Sequence, residues 1–229
     1  KVLKNRLAAQ GVYEYIKDMK TTGVIKEDDG SGIIEIGVPM GIIAALIPST
    51  NPTSTVIYKV MIALKAGNGI VISPHPNAKE CIIRTAEILI NAAERKGAPK
   101  GLIGVIKTPT LQATNELMKH KDTSLILATG GEAMVKAAYS SGTPALGVGP
   151  GNGPAFIEKS ANIALAVKRI LDSKTFDNGV ICASEQSIVT ENVIKSDVIS
   201  ELKKQKAYFL NKEERDRVGN ILMRANGSM

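Results

Sequence analysis

Gly41-Ile42-Ile43-Ala44-Ala45-Leu46-Ile47 is a continuous apolar run, and Pro48 closes it. A run of this length that ends at a proline is typical of a strand buried on both faces of a parallel sheet. A second apolar stretch, Gly69 to Ser73, follows after the helical period Val56–Leu64. Two buried strands joined by a helix form a βαβ unit, so this part of the chain predicts an α/β fold.

The alternation of strands and helices continues downstream. Helices are predicted at 77–96, 111–119 and 132–140, and strands at 102–106 and 124–128. Upstream of the apolar run, residues 32–38 are also predicted to form a strand. Because βαβ crossovers are right-handed, these helices are expected on both faces of the sheet. The sequence therefore predicts a Rossmann-like parallel sheet, with ligands bound at the carboxyl ends of its strands.

The N-terminal part is predicted to precede this sheet. Residues 1–20 read as an amphipathic helix, with an apolar side formed by Val2, Leu3, Leu7, Val12, Tyr13 and Ile16. Residues 21–31 read as a polar connection. Because the helical pattern begins without a cap, we expect the chain to be part of a longer one.

A stretch rich in glycine and proline, residues 143–157, predicts a crossover between two domains rather than a helix or an ordinary strand. We place the boundary between residues 1–147 and 148–229. The second part is predicted to contain helices at 162–174, 196–206 and 213–223 and a strand beginning at 187–189. This pattern predicts the start of a second α/β domain.

Composition excludes several classes of protein. The chain is 44% apolar and 22% charged, which is typical of a soluble globular protein, and no apolar run reaches the length of a membrane span. No signal-peptide pattern opens it, and two distant cysteines favour a reducing, cytoplasmic compartment. The net charge of +7 is scattered along a chain with few aromatic residues, so we expect no nucleic-acid partner but a bias towards an anionic cofactor.

One cysteine lies on a tight connection. In Phe176-Asp177-Asn178-Gly179-Val180-Ile181-Cys182-Ala183-Ser184, a helical period ends and Asn178-Gly179 signals a turn. Cys182 is therefore either a thiol presented to a cleft or a small buried residue. The other cysteine, Cys81, shares a predicted helix face with Ala78 and Ile82, and we expect it to be packed and to carry no chemistry.

The cysteine stretch resembles the Phe-x-Asn-x-Gly-Gln-x-Cys signature of the aldehyde dehydrogenase superfamily. It is most similar to the CoA-acylating acetaldehyde and propionaldehyde dehydrogenases, including the ethanolamine- and propanediol-utilisation enzymes and the aldehyde half of bifunctional aldehyde–alcohol dehydrogenases. The resemblance runs from about Gly32 to about Leu210. It implies a truncated aldehyde dehydrogenase fold, with a nicotinamide-cofactor domain over residues 1–147 that is incomplete at its N-terminus and the beginning of a catalytic domain over 148–229.

The resemblance assigns two catalytic residues. Cys182 would attack the aldehyde and carry the acyl group as a thioester. Asn51, within Pro48-Ser49-Thr50-Asn51-Pro52, matches the asparagine whose amide, with the Cys182 backbone N–H, stabilises the oxyanion. From the residues alone, Asn51 has a second interpretation as ordinary turn chemistry.

A departure from the hydrolytic pattern points to the acylating branch. Hydrolytic members use a glutamate as the base that activates water, and Val148 stands at that position in Val148-Gly149-Pro150-Gly151. Valine cannot activate water. The resemblance therefore implies transfer of the acyl group to coenzyme A, in the reversible reaction aldehyde + CoA + NAD(+) to acyl-CoA + NADH.

The cofactor residues are also implied by the resemblance, because the Gly-x-Gly-x-x-Gly fingerprint is absent. Thr129-Gly130-Gly131 follows a strand and opens a helix, where backbone N–H groups hold phosphates. Ser73-Pro74-His75-Pro76 departs from the family's ribose clasp, which leaves NAD and NADP both open, and His75 has a second interpretation as a plain loop residue. The predicted cofactor set is Ile47, Pro48, Ser49, Thr50, Ser73, Pro74, His75, Thr129, Gly130, Gly131, Val148 and Gly149.

Several further predictions concern single residues, partners and location. His120 is expected to cap a helix, and no metal site is expected. The resemblance implies a homo-oligomer at full length and no membrane partner, and it leaves open the cytosol or a bacterial microcompartment, with its shell as a further partner. Three alternatives stay open: succinate semialdehyde as substrate, a hydrolytic dehydrogenase, and a non-catalytic nucleotide-binding or assembly module with a buried cysteine.

Overall fold

The structure is a computed structural model that describes residues 2–223. Lys1, the first residue of the predicted N-terminal helix, and residues 224–229 of the predicted second domain lie outside the described residues. The chain divides into two compact units, Lys1–Pro150 and Gly151–Met229. Within residues 2–223, no helix is both long enough and apolar enough to cross a lipid bilayer.

The first unit begins with an interrupted helix. It comprises α1 (Val2–Arg6), a π-helical turn (Leu7–Gly11) and α2 (Val12–Ile16). The predicted apolar side is wrong: Val2 is 85% exposed, whereas Lys4 and Ala8 are buried. The π turn interrupts the 3.6-residue period, so one apolar face does not continue along the whole helix. Before the turn, Lys4 is buried where it hydrogen-bonds to Asn51, and Val2 therefore faces away.

A hairpin follows, formed by β1 (Gly23–Asp28) and β2 (Ile33–Gly37), which pair antiparallel. The prediction of a polar connection over residues 21–31 is therefore wrong for β1. Most residues of both strands are exposed, so β1 has no buried face that would impose an apolar alternation on its sequence.

Five parallel strands form the main sheet, in the order β5-β4-β3-β6-β7. They are β3 (Ile42–Ile47), β4 (Gly69–Pro74), β5 (Ile103–Val105), β6 (Thr123–Thr129) and β7 (Ala145–Val148). The connecting helices are α3 (Pro52–Lys65), α4 (Lys79–Arg95), α5 (Leu111–Lys119) and α6 (Glu132–Tyr139). The predicted Rossmann-like sheet is confirmed, but the prediction that residues 143–157 contain no strand is wrong because β7 completes the sheet.

The central strand β3 explains why the fold forms around this segment. Its residues alternate between two cores: Ile43, Ala45 and Ile47 pack with α3 and α4, while Ala44 and Leu46 pack with α5 and α6. All five are at most 3% exposed. Since burying one large aliphatic side chain contributes about 1.5–3 kcal/mol, an apolar run here stabilises both layers at once.

The second unit is a smaller α/β arrangement. Two parallel strands, β8 (Gly153–Ile157) and β9 (Glu185–Thr190), flank α7 (Ile163–Thr175) in sequence, and α8 (Lys195–Lys204) and α9 (Lys212–Leu222) follow. Buried apolar side chains of β8, α7 and α8 form its core, and they include Ile157, Val167, Val198 and Leu202. A short 3-10 turn, Phe176–Gly179, leads from α7 towards β9.

Candidate active site

The predicted cofactor residues of the first unit lie along one edge of the main sheet. Because all five strands are parallel, the segments after β3, β4, β6 and β7 leave from the same carboxyl edge. The sheet order reverses between β3 and β6, whose residues Leu46 and Ala128 are paired. In doubly wound sheets this switch point opens a crevice for ligands. The fold thus brings Ile47–Asn51 beside Thr129–Gly131, with Ser73–His75 and Val148–Gly149 on either side.

Asn51 lies at the switch point, where it is the N-cap residue of α3. Its side chain makes no capping hydrogen bond to the helix. Instead, Asn51 Oδ1 accepts a hydrogen bond of 2.6 Å from Lys4 Nζ. The side chain of Asn51 is thus held from the N-terminal helix rather than by ordinary turn chemistry.

The N-terminus of α6 presents backbone to open space. Gly131 is the N-cap residue, and a Cβ built on it would meet no atom within 4 Å. Gly131 therefore leaves open space beside the first N–H groups of the helix, where an anion is favoured. Glu132 adds an exposed carboxylate to the first turn, which opposes anion binding.

The segment after β4 offers fewer side-chain groups than the prediction suggests. Ser73 is 3% exposed, and its hydroxyl lies 2.8 Å from the Thr114 hydroxyl in a buried hydrogen bond. His75 Nδ1 accepts from the backbone N–H of Asn77, so its ring caps the following 3-10 turn. Of the His75 ring nitrogens, Nε2 is the one not used in this cap, and the Ser73 hydroxyl is buried against Thr114.

A buried lysine ties the two strands of the switch point together. Lys59 of α3 is 1% exposed, and its Nζ donates to Leu46 O at 2.9 Å and to Leu127 O at 2.7 Å. Burial lowers the pKa of the Lys59 amine to about 7, because the interior disfavours the charged form. Lys59 was missed from sequence, although a lysine between Val56 and Val60 on a buried helical face was a visible signal.

In the second unit, Cys182 lies at the tip of a turn. The N–H and the hydroxyl of Ser184 both donate to Ile181 O, at 3.1 and 3.0 Å. These bonds close a loop around Cys182, which is exposed, while Ser184 itself is 1% exposed. The thiol is therefore presented to solvent rather than packed, which favours the first of the two interpretations of Cys182.

The turn is preceded by three consecutive residues in the left-handed region. Asp177, Asn178 and Gly179 have φ values of 51°, 55° and 69°. Lys174 of α7 reaches past them, and its Nζ donates to Gln186 Oε1 at 3.0 Å. This hydrogen bond connects the helix before the turn to the strand after it, which limits the movement of the segment between them.

A carboxylate begins the strand that follows the turn. The hydroxyl of Ser173 donates to Glu185 and, with smaller contributions from the backbone and Lys174, lowers the pKa of that carboxyl below its usual range. One carboxylate oxygen, Oε2, is buried without a hydrogen-bond partner. Glu185 therefore places a fixed negative charge three residues after the thiol.

Two further residue predictions have opposite outcomes. Cys81 is exposed, so the prediction that it packs on a helix face is wrong; its Sγ instead donates to Ala78 O. His120 is the C-cap residue of α5, as predicted. Among residues 2–223, no group of three His, Cys, Asp or Glu side chains is arranged to hold a metal ion.

Comparison with known proteins gives consistent results. The aldehyde dehydrogenase family model matches residues 7–219. The bifunctional aldehyde-alcohol dehydrogenase AdhE of Escherichia coli K12 is 49% identical over the whole chain, which covers 26% of that protein.

Solved structures with the same fold agree. An acetylating aldehyde dehydrogenase from Geobacillus thermoglucosidasius is 60% identical, with a TM-score of 0.86, over 97% of this chain and 49% of that one. A propionaldehyde dehydrogenase from Rhodopseudomonas palustris, solved with bound CoA and an acylated cysteine, is 31% identical with a TM-score of 0.81, over 98% of this chain and 51% of that one.

The chain thus spans about a quarter of the bifunctional relative and about half of these two solved chains. The family match covers both units, including the switch point of the first and the exposed cysteine of the second. The chain belongs to the aldehyde dehydrogenase family.

Proposed function

We propose that this chain carries the cofactor-binding and nucleophile segments of a CoA-acylating aldehyde dehydrogenase. The reaction converts a short aliphatic aldehyde, CoA and NAD(+) reversibly to acyl-CoA and NADH. The observation that carries the proposal is the exposed Cys182 on its turn, in a family member that is 60% identical to an acetylating aldehyde dehydrogenase.

The chemistry follows from the nucleophile. The Cys182 thiolate adds to the aldehyde carbon, and the carbonyl oxygen takes the negative charge. Asn51 Nδ2–H and the Cys182 backbone N–H are the proposed donors to that oxygen. Loss of the carbon-bound hydrogen as a hydride leaves a thioester, and attack by the CoA thiolate on the thioester carbon then releases acyl-CoA and restores the Cys182 thiolate.

Val148 supports the acylating branch. It ends β7 at the carboxyl edge of the sheet with its side chain half exposed, and it has no group that can take a proton from water. A thioester on Cys182 would then survive long enough to meet a thiol. A hydrolytic reaction would need its base from another residue.

The first unit fits a nicotinamide dinucleotide. Its switch point, the open space at Gly131 and the adjoining strand ends lie along the carboxyl edge of the sheet, where doubly wound sheets bind ligands. When bound there, the nicotinamide would accept the hydride. The protein's own contribution is to hold the pyrophosphate near the N-terminus of α6. The experiment below compares NADP with NAD, because the predicted cofactor residues do not distinguish the two dinucleotides.

The test is NADH formation from acetaldehyde, measured with and without CoA. It is run on this chain and on any longer protein that contains it, with Cys182→Ala as the inactive variant and Cys81→Ala as the control. Because Cys81 is also exposed, it is a matched thiol that the proposal leaves without a function. Propionaldehyde and succinate semialdehyde are compared with acetaldehyde to define the substrate.

We expect NADH formation that requires both CoA and Cys182 and is unchanged in Cys81→Ala. Alkylation rates give a second readout that needs no turnover: iodoacetamide should modify Cys182 faster than Cys81, and aldehyde should protect only Cys182. Activity without CoA would indicate a hydrolytic enzyme. Full activity in Cys182→Ala, or equal alkylation of both thiols, would contradict the proposal and favour a non-catalytic module.

A further inference from the structure

The N-terminal helix contacts the segment that follows β3 at two neighbouring positions. Lys4 Nζ donates to Asn51 Oδ1 at 2.6 Å, and the Thr53 hydroxyl donates to Asn5 Oδ1 at 2.7 Å. Lys4 is 7% exposed, although most of its neighbours on the N-terminal helix are exposed. A lysine is rarely buried unless it is paired, so this contact needs a reason.

The hydrogen bond fixes which way the Asn51 amide faces. A protonated lysine side chain has donors only, and the asparagine amide has one oxygen and one NH2 group. The atom of Asn51 that meets Lys4 must therefore be the oxygen, and the NH2 group is turned to the opposite side. Without this contact, the oxygen and nitrogen could exchange positions by rotation about one bond.

We propose that Lys4 is a positioning residue for the oxyanion donor. It holds Asn51 Oδ1 so that the Nδ2–H bond points away from the N-terminal helix and towards the carbonyl oxygen of the substrate. The inference rests on the proposed function, since it assigns Lys4 to the same oxyanion site.

A second effect acts in the same direction. A donor placed on an amide oxygen withdraws electron density from the whole amide and strengthens its N–H groups as donors. The oxyanion forms only as the reaction proceeds, so a donor already oriented and polarised favours the transition state over the bound aldehyde. Lys4 should therefore affect kcat more than KM.

The packing of the N-terminal helix on α3 is the competing explanation for Lys4. The Asn5–Thr53 contact anchors the same helix independently, so loss of the Lys4 hydrogen bond leaves one tie in place. A matched control is Arg6→Met, because Arg6 lies on the same helix, is exposed, and hydrogen-bonds to Gln10 within the N-terminal helix. Lys4→Met and Arg6→Met remove the same kind of group at a buried and an exposed position.

The experiment is a double-mutant cycle on the CoA-dependent activity, with Lys4→Met, Asn51→Ala and the double variant. Lys4→Met should lower kcat about 10- to 100-fold with little change in KM, since losing an oxyanion donor outright costs about 100- to 1,000-fold. In the Asn51→Ala background the same change should have less than about a twofold effect. Lys4→Arg should restore part of the loss, and Arg6→Met should leave kcat unchanged.

A second readout is independent of turnover. In protein labelled with 15N-asparagine, the Asn51 side-chain NH2 signals should shift in Lys4→Met and stay unchanged in Arg6→Met. Equal loss of activity in both backgrounds, or an unchanged Asn51 amide signal, would overturn the role of Lys4. If wild-type protein forms no NADH in any mixture, the proposed function fails, and the amide signal still decides whether Lys4 orients Asn51.

Discussion

The backbone of Gly151 lies against the backbone of Cys182: a Cβ built on Gly151 would come within 2.7 Å of the Cys182 carbonyl oxygen. Real Cβ atoms do not approach backbone oxygen this closely, so any side chain at position 151 must displace the cysteine turn. Two residues further on, a Cβ built on Gly153 would lie 3.8 Å from the Ser184 carbonyl oxygen, which is an ordinary van der Waals distance. These two glycines make a matched pair.

Gly151→Ala should displace the turn that carries Cys182, whereas Gly153→Ala should be tolerated. Overpacking of this kind typically costs about 1–3 kcal/mol, shared between lost stability and a moved turn. We expect Gly151→Ala to slow iodoacetamide modification of Cys182 and to lower the melting temperature, with Cys81 modification as the internal reference. Equal effects of the two substitutions would show that the close approach at Gly151 does not position the cysteine.

The left-handed residues make a second prediction. Lys206 has a φ of 72° at the end of α8, where the Ala207 N–H to Leu202 O bond forms a Schellman motif that favours glycine. Lys206→Gly should therefore raise the free energy of unfolding by about 0.5–1 kcal/mol, which denaturant titration measures. Asn178→Gly should change stability little, because asparagine already tolerates a φ of 55°.

The alkylation rate of Cys182 distinguishes these two variants. Lys206 lies at the end of α8, whereas Asn178 is in the segment that leads into the cysteine turn. Lys206→Gly should leave the alkylation rate of Cys182 unchanged, and Asn178→Gly should alter it because the turn gains backbone freedom. A larger gain in stability from Asn178→Gly than from Lys206→Gly would indicate that the backbone strain is greater beside Cys182 than at the end of α8.

Glu132 makes a third prediction about the cofactor. Its carboxylate lies in the first turn of α6, where the helix dipole favours a negative ligand and a fixed negative side chain competes with it. Glu132→Gln should tighten NAD binding about two- to fivefold at low salt, and less at high salt, as measured by calorimetry. Glu213→Gln is the control, since Glu213 is also an acidic residue in the first turn of a helix, α9. Equal affinity in both variants would place the pyrophosphate away from α6.

The buried strands of the main sheet were predictable, because a strand that is buried on both faces has a continuous apolar sequence. Ile42–Ile47 has no polar residue, and both of its faces meet helices, so its sequence admits few other structures. Strands that are more exposed lack this apolar pattern. β1 has its polar residues exposed, and β7 alternates small and apolar residues within a glycine-rich stretch that reads as a connection. Packing against neighbours, rather than local preference, makes these segments strands.

The candidate site was predictable only in part. The sequence shows which residues have reactive or polar side chains, but it does not show which distant residues hydrogen-bond to them. Cys182 and Asn51 were assigned catalytic roles from their motifs, and those roles stay predictions. Lys4 and Lys59 were missed, since a lysine normally indicates a solvated surface and both act through hydrogen bonds to distant segments. Ser73 was placed among the predicted cofactor residues, yet its hydroxyl bonds to Thr114, which lies 41 residues away in sequence and beyond any local pattern.

Lys59 gives the last prediction, a pH dependence with a definite sign. Its pKa is about 7 in the folded protein and about 10.5 when unfolded. Between these values the unfolded chain binds a proton that the folded chain does not, so the contribution of Lys59 to stability rises with pH across this window. Below pH 7 both states are charged and the full cost of burial applies. The change over the window is at most roughly 4–5 kcal/mol.

Lys59→Met should remove this pH dependence. The variant loses two hydrogen bonds to Leu46 O and Leu127 O, so wild-type protein should exceed it in stability by a margin that grows from pH 7 to pH 10. Lys79→Met is the control, because Lys79 is exposed at the start of α4 and should give a flat difference. Urea titrations of the three proteins at several pH values measure the margin. A margin that stays constant or shrinks with rising pH would show that Lys59 keeps its charge when buried, held by the two carbonyl oxygens.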